Sequence, residues 1–535
     1  VRLSKNLDKL LISYNCCIWQ VFNTLLSYGM RFMQGQDRTQ THLFPISLDQ
    51  SIAKDNEVRL IDLFVDNLDL NDFGFKVDFD ENGRPAYRPS DLLKLYIYGY
   101  LNRTRSSRGL EKECTRNIEV MWLLRCLSPD HNTISNFRRD NPKAIKKVFR
   151  QTVQLAKHFN LIGGKLLAGD STKLRAQNSK KNNFNQKKID RHLIYIENKL
   201  SEYEKALAES DGDKKKIIEE EISKQTDRKK EYQNIESQIK QTGQPQISTS
   251  DPDSRQMITR NNITEVAYNI QTTVDAENNI PIDYKVTNAN DSKAMGNMLQ
   301  RAKTILRSNQ FTALYDKGYH TGSEFAVADR LGIETIVAIP RVAAQAPNPE
   351  YNVDNFGYNK QEDYYTCPQN QQLRTNGRWH QARTYQFKRY TTKACANCSV
   401  KDQCSKAVCG KAIQRSEYQD LIEVNKQRAD QNQTYYKRRQ AIVEHPYGTI
   451  KRQWGFDHIM TKKGIARASA DVGLQMTAYN LRRLINIIGL KTLMKWAIQQ
   501  LSYFLELILL LKLSVAQIRP QFYFQIKAFS IFMYP

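Results

Sequence analysis

Cysteine is scarce in this chain, nine among 535 residues, which excludes a disulfide-dense secreted protein. No stretch joins a charged start to an apolar middle and a small-residue cleavage site, so the expected location is cytoplasmic. Membrane-length apolar runs are missing as well. Residues 501–513 (LSYFLELILLLKL) are too short to span a bilayer and carry Glu506 and Lys512, so they read as a packing helix or a non-native extension and no membrane partner is expected. Acid is in short supply: 56 Asp and Glu face 80 Lys and Arg, a net charge of +24. Such a balance points to a polyanion, with DNA or RNA ahead of an anionic membrane surface. The remaining composition, 40% hydrophobic and 25% charged, is that of an ordinary folded protein long enough for several domains.

The chain opens on Val1, and the segment through Met30 holds Cys16, Cys17 and Trp19 in a mixed apolar run. Residues 1–40 read as an extension, either a short helical one or, the preferred reading, translated upstream sequence with the natural start at Met33. Residues 41–160 read as a helical domain. Apolar spacing predicts helices over 57–72 and 90–101, the latter capped by Ser90, then from about Leu110 and from Thr133. Asp130-His131 reads as a turn and cap. Arg103, Arg105 and Arg108 lie on a connecting turn. This suits a helix-turn-helix DNA reader and a plain helical bundle with solvated cations equally well.

Residues 165–170 (KLLAGD) predict a buried strand that ends on Asp170, with Ser171, Thr172, Lys173 and Arg175 following. A carboxylate at a strand end beside cations suits metal-assisted phosphate chemistry, although a strand-terminating Asp in a turn is common. Residues 185–250 form an insertion whose Lys, Glu, Ile and Gln content, broken at Asp211-Gly212-Asp213, predicts a coiled-coil hairpin. Strands are expected at 263–275 and 280–287, joined by a turn, then a helix at 292–306 and a strand at 311–315 ending on Asp316. A helix at 323–331 and a strand at 334–339 complete a mixed α/β layout. Asp275, Asp283 and Asp291 compete with Asp316 as second acid. Asp316 is preferred because neighbouring strands would bring its end beside that of Asp170.

Within 346–425, Cys395-x-x-Cys398 has the spacing of a zinc half-site, and Cys367 and Cys404 would complete four sulfurs, with Cys409 spare. Free buried thiols are the bland alternative. Arg374, Arg378, Trp379, Arg383, Lys388 and Arg389 around them suit a nucleic-acid-facing module. In 436–451 (YKRRQAIVEHPYGTIK), Lys451 follows Glu444 by close to two helical turns, which would put both on one face, while Pro446 opposes a clean helix. An amphipathic helix is expected at 464–488. The tail 491–535 suggests no function.

Taken in order, PISLDQSI (46–53), RPSDLLKLYIYGYL (88–101), HNTISNFRR (131–139), GDSTKLRAQNSK (169–180), YNIQTTVDAENN (268–279), YDKGYH (315–320), the cysteines and VEHPYGTIKRQWG (443–455) resemble a DDE transposase of bacterial insertion sequences. The resemblance spans roughly residues 40–490. It implies an α/β RNase H-like core over 161–345 and 426–490, behind a helical DNA-binding domain. It implies Asp170, Asp316 and Glu444 as a triad holding two Mg²⁺ or Mn²⁺ ions, and Tyr436, Arg439 and Lys451 as DNA contacts. Arg439 lies one residue further from Glu444 than the usual spacing. Expected partners are double-stranded DNA, as terminal inverted repeats and target, and further copies of the chain, at least a dimer on DNA. The expected location is the bacterial nucleoid. A structural Zn²⁺ is expected at Cys367, Cys395, Cys398 and Cys404. A related nuclease that cuts without joining, and a zinc-bearing DNA-binding regulator, remain the alternatives.

Overall fold

Asn56 opens the first helix by accepting a hydrogen bond from Val58 N, and helix α1 runs Glu57–Asp66. The computed structural model describes residues 47–75, 86–259, 262–340 and 346–502. The readings for residues 1–40, the start at Met33 and nearly all of the 501–513 helix lie outside the described residues. Residues 47–52 form a short turn, and Ala53 onward is a separate unit. Helix α2 is Pro89–Leu101. Its cap position is Arg88, not Ser90, because Pro89 has the fixed φ and missing N–H that suit a first helical residue. Helix α3 spans Ser107–Arg116. The pattern from Thr133 is two helices, α4 (His131–Asp140) and α5 (Pro142–His158), parted at Asn141-Pro142. Asp130 caps α4 as expected, accepting from Asn132 N and Thr133 N.

Strand β1 (Leu166–Arg175) leads to two packed helices, α6 (Gln186–Ala208) and α7 (Asp213–Thr242). Phe184, Ile189, Ile235 and Ile239 form their own small core. Then come β2 (Arg255–Ile258), β3 (Thr264–Asp275), β4 (Ile280–Thr287), α8 (Met295–Leu306), β5 (Thr312–Tyr315), α9 (Gly322–Leu331) and β6 (Glu334–Val337). β3 runs antiparallel to β1, and β2 and β4 share the far edge of β3. On the other side, β5 and β6 run parallel to β1. The sheet is therefore mixed, with the parallel strands β5 and β6 each reached through a helix, α8 and α9.

A second, antiparallel sheet follows: β7 (Gly357–Asn359), β8 (Tyr364–Thr366), β9 (Gln372–Gln381), β10 (Gln386–Thr391) and β11 (Ile413–Ser416). Its core is small: Phe356, Tyr365, Leu373, Tyr390 and Ile413. The chain returns to the first sheet through α10 (Gln419–Gln431), where the Asn425 amide bonds both N–H and C=O of Val337 on β6. Helix α11 (Gln433–Tyr447) then crosses the sheet, Ile442 and Val443 packing on Leu166, Ala168, Val274, Leu314 and Ile336.

Helix α12 (Ile465–Ile488) is buried over much of its length and packs against α2, α5 and β4. Asp471, fully buried, is its anchor. The carboxylate accepts from Tyr100 Oη, Met460 N and Gln475 Nε2, and it faces the guanidinium groups of Arg105 at 3.8 Å and Arg138 at 3.5 Å. Arg105 also lies over the Phe456 ring. Through this knot the front helices and the sheet share one helix.

Candidate active site

Strand alternation sends Leu166, Ala168, Asp170 and Thr172 to one face of β1, the face that α11 covers. Asp170 is not at the strand end. The ladder to β3 continues to Arg175, with Asp170 opposite Thr272, whereas the pairing with β5 stops at Ala168. Asp170 thus sits where β1 loses one of its two neighbours, and Asp316 follows β5 at the same edge. Asp316 caps the turn Lys317–Tyr319 by accepting from Gly318 N at 2.9 Å. Gly169 makes the approach possible: a Cβ there would fall inside the Tyr315 ring, one residue before Asp316.

Arg439 of α11 reaches over both acids. Its Nη1 lies 3.1 Å from Asp170 Oδ2, and Asp316 adds to the field that keeps it charged. Its Nε is buried without a hydrogen-bond partner, and its guanidinium stands 5.7 Å from the Tyr436 ring. Burial pushes the Asp170 carboxyl above its ordinary value; Arg439 and the Ser171 amide oppose this, and the Asp316 charge adds to it. Lys451 Nζ bonds Thr172 Oγ1 at 3.0 Å and Lys173 O at 3.1 Å, two residues along the same strand.

Glu444 is not gathered with the two aspartates. It is exposed, and its Oε1 accepts from Gln440 Nε2 at 2.9 Å. The shared helical face with Lys451 does not form either. Pro446 stands inside α11 without an N–H to give, and from Gly448 to Gln453 the chain widens into π turns that re-aim Lys451 toward β1. Among the described residues, no group of three or more His, Cys, Asp or Glu side chains forms a ready-made metal cluster. The donor chemistry of Asp170 and Asp316 nevertheless suits a hard divalent cation, and Arg439 shows that the pair draws positive charge.

Three residues around the pair lie outside the motif reading. Tyr447, half-buried, donates through Oη to Thr272 Oγ1 at 2.8 Å and reaches Asp170 O and Ile270 O at 3.3 Å. Tyr319 is buried under the site with an unpartnered hydroxyl. Asp291, passed over in favour of Asp316 as second acid, accepts from Asn269 Nδ2 at 2.7 Å and pairs with Lys173 at 3.3 Å. Its Cβ and Asp316 Oδ1 flank Gly318 from two sides. The sequence signals for these were the tyrosines in YDKGYH and HPYG, which spacing alone does not assign.

The four cysteines line one cavity of about 30 Å³ in the second sheet's module. Burial raises the Cys404 thiol, Lys411 opposes, and Cys395, Cys367 and Cys398 add to the rise. Cys409 is exposed and lies outside the cavity lining.

Two family models match this chain: a transposase domain (DUF772) over residues 46–140 and a transposase DDE domain over residues 366–485. The second includes Arg439, Glu444 and Lys451; Asp170 and Asp316 lie between the two matched stretches. No curated protein matches. Among solved structures, the chain is similar to one described as a piggyBac transposase synaptic complex with hairpin DNA. The two are 9% identical over 84% of this chain and 81% of that one, with a TM-score of 0.27, and nothing below rests on that likeness.

Proposed function

We propose, for a chain that is a DDE transposase of insertion-sequence type, that Asp170, Asp316 and Glu444 are the acids with which it cuts and joins DNA. One observation carries the assignment: Asp170, just past the parallel pairing of β1 with β5, and Asp316, just after β5, share one sheet edge under the helix that bears Glu444. The strand order β4-β3-β1-β5-β6, three antiparallel strands followed by two parallel ones, supports an RNase H-like core.

Enzymes with this domain use divalent ions, and Mg²⁺ or Mn²⁺ bound to these carboxylates would supply Lewis acidity for in-line displacement at a phosphodiester. Asp170 and Asp316 would hold them, and Glu444 would become the third ligand on leaving Gln440 and turning toward the two aspartates. Arg439, paired with Asp170 and within the field of Asp316, offers a further donor to a phosphate oxygen. Lys451, tied to β1 by Thr172, fixes a second positive charge along the same strand face, and Tyr436 steadies the guanidinium of Arg439. The 3′-hydroxyl freed by cleavage would then attack target DNA. The front helices would read terminal inverted repeats, and pairing two ends calls for at least a dimer on the bacterial nucleoid.

The test is incubation with labelled element ends and Mg²⁺, mapping the cut strand, then repetition with precleaved ends to read joining. Asp170→Asn, Asp316→Asn and Glu444→Gln should each lower cleavage by about 10²- to 10³-fold while retarding DNA in gels as the parent does. Full cleavage by Glu444→Gln would remove that residue from the triad. Cleavage without joining of precleaved ends would make the chain a nuclease.

A further inference from the structure

The module between β6 and α10 has little to hold it together. Its apolar core is five side chains shared among five short strands, and small scaffolds with so little buried surface are commonly held by a covalent or metal staple. All seven cysteines among the described residues are free thiols, so no disulfide provides one. Four of them instead come from separate places in the module to line one cavity. Cys367 follows β8, Cys395 lies in the turn Lys393–Asn397, Cys398 comes just after it, and Cys404 ends the short helix Lys401–Cys404.

The surroundings are built for sulfur. Gln371 N donates to Cys367 Sγ at 3.3 Å across a tight turn in which Cys367 N also bonds Gln371 O. Gly410, at φ +80°, passes so close that a Cβ would collide with that of Cys395, and the left-handed backbone independently favours glycine there. Lys401 and Lys411 line the same cavity, placing positive charge beside what would be four negative sulfurs. Cys367 and Cys404 also pack against the apolar core itself.

We infer that Cys367, Cys395, Cys398 and Cys404 bind one structural zinc ion that staples this module. The tetrahedral preference of zinc and its affinity for thiolate match a four-sulfur site. The cavity has room for little more than a single ion. The sulfurs ring it without closing on a point, so binding draws the turn, the helix end and β8 inward together. This site is separate from the acids of β1 and β5, and its occupancy is independent of whether they cleave DNA.

The full chain, purified without chelator from zinc-supplied cells, should contain about one zinc per chain by elemental analysis and no iron. A thiol-modifying reagent should release that zinc as about four thiols react, a readout that needs no variant. Cobalt exchanged into the wild type should give the intense sulfur-to-metal absorption of tetrahedral thiolate. Cys398→Ser should lower zinc content at least about tenfold, and Cys409→Ser should leave it unchanged. Full-length protein that neither retains zinc nor takes it up on reconstitution would overturn the inference. So would zinc that survives Cys398→Ser, or an iron chromophore in its place.

Discussion

Arg439 answers two carboxylates at once, and any divalent cation at the same acids would draw on the same negative charge. Arg439→Gln should therefore destabilise metal-free protein by roughly 1–3 kcal/mol, less than a fully buried pair would cost because Asp170 keeps some exposure. Mg²⁺ should restore more of that loss in the variant than it adds to the wild type, seen as a larger metal-induced rise in Tm. His320 provides the pH dependence. Burial lowers its pKa below the ordinary 6.5, and its Nε2 is buried without a partner. The neutral ring is the form the fold accepts, so its contribution is complete above pH 6.5 and declines as pH falls below that value toward the lower folded-state pKa. The Tm of the wild type should drop more steeply between pH 7 and pH 5.5 than that of His320→Gln; parallel slopes would remove His320 as the cause.

At the level of strands and helices, the join between β1 and β5 rests on Gly169 and Tyr315. Gly169→Ala should cost about 1–3 kcal/mol by overpacking, measured by chemical denaturation, and Tyr315→Leu in the same chain should recover part of it. Local pattern made these elements readable. β-branched runs marked β3 and β4, and an apolar run ending in acid marked β5. What pattern could not show was how far β1 runs: apolar character stops at Gly169, but the strand persists to Arg175 because β3 supplies a ladder partner for every residue. Nor could it show α11 turning into π turns after Pro446, since the geometry of Lys451 is decided by its hydrogen bonds to β1 rather than by helical spacing. Asp170, Asp316 and Arg439 were legible as a set from their motifs. The exposed setting of Glu444, and the two tyrosines beneath the acids, depend on contacts between elements far apart in sequence.

Across the whole molecule, the legible division into front helices and core conceals a shared element. α12 reads as an ordinary amphipathic helix, yet it is buried between both, and Asp471 meets Arg138 of α4 and Arg105 of the turn between α2 and α3. Asp471→Ala would leave Arg105 and Arg138 facing each other in the interior, and should lower stability by about 3–5 kcal/mol. One cooperative unfolding transition at lower denaturant is the expected result, with front helices and sheet lost together. Two separated transitions would mean that α12 does not couple them.

The same knot sets a schedule for biosynthesis. Tyr100 precedes its partner Asp471 by 371 residues, which at roughly 5–20 residues per second is about 20–70 s of ribosome time. During that interval the early helices wait with two buried-to-be arginines uncompensated. A nascent product that stops short, through a frameshift or a premature stop before α12, never receives the piece that locks it, and becomes a substrate for proteolysis rather than a half-working enzyme.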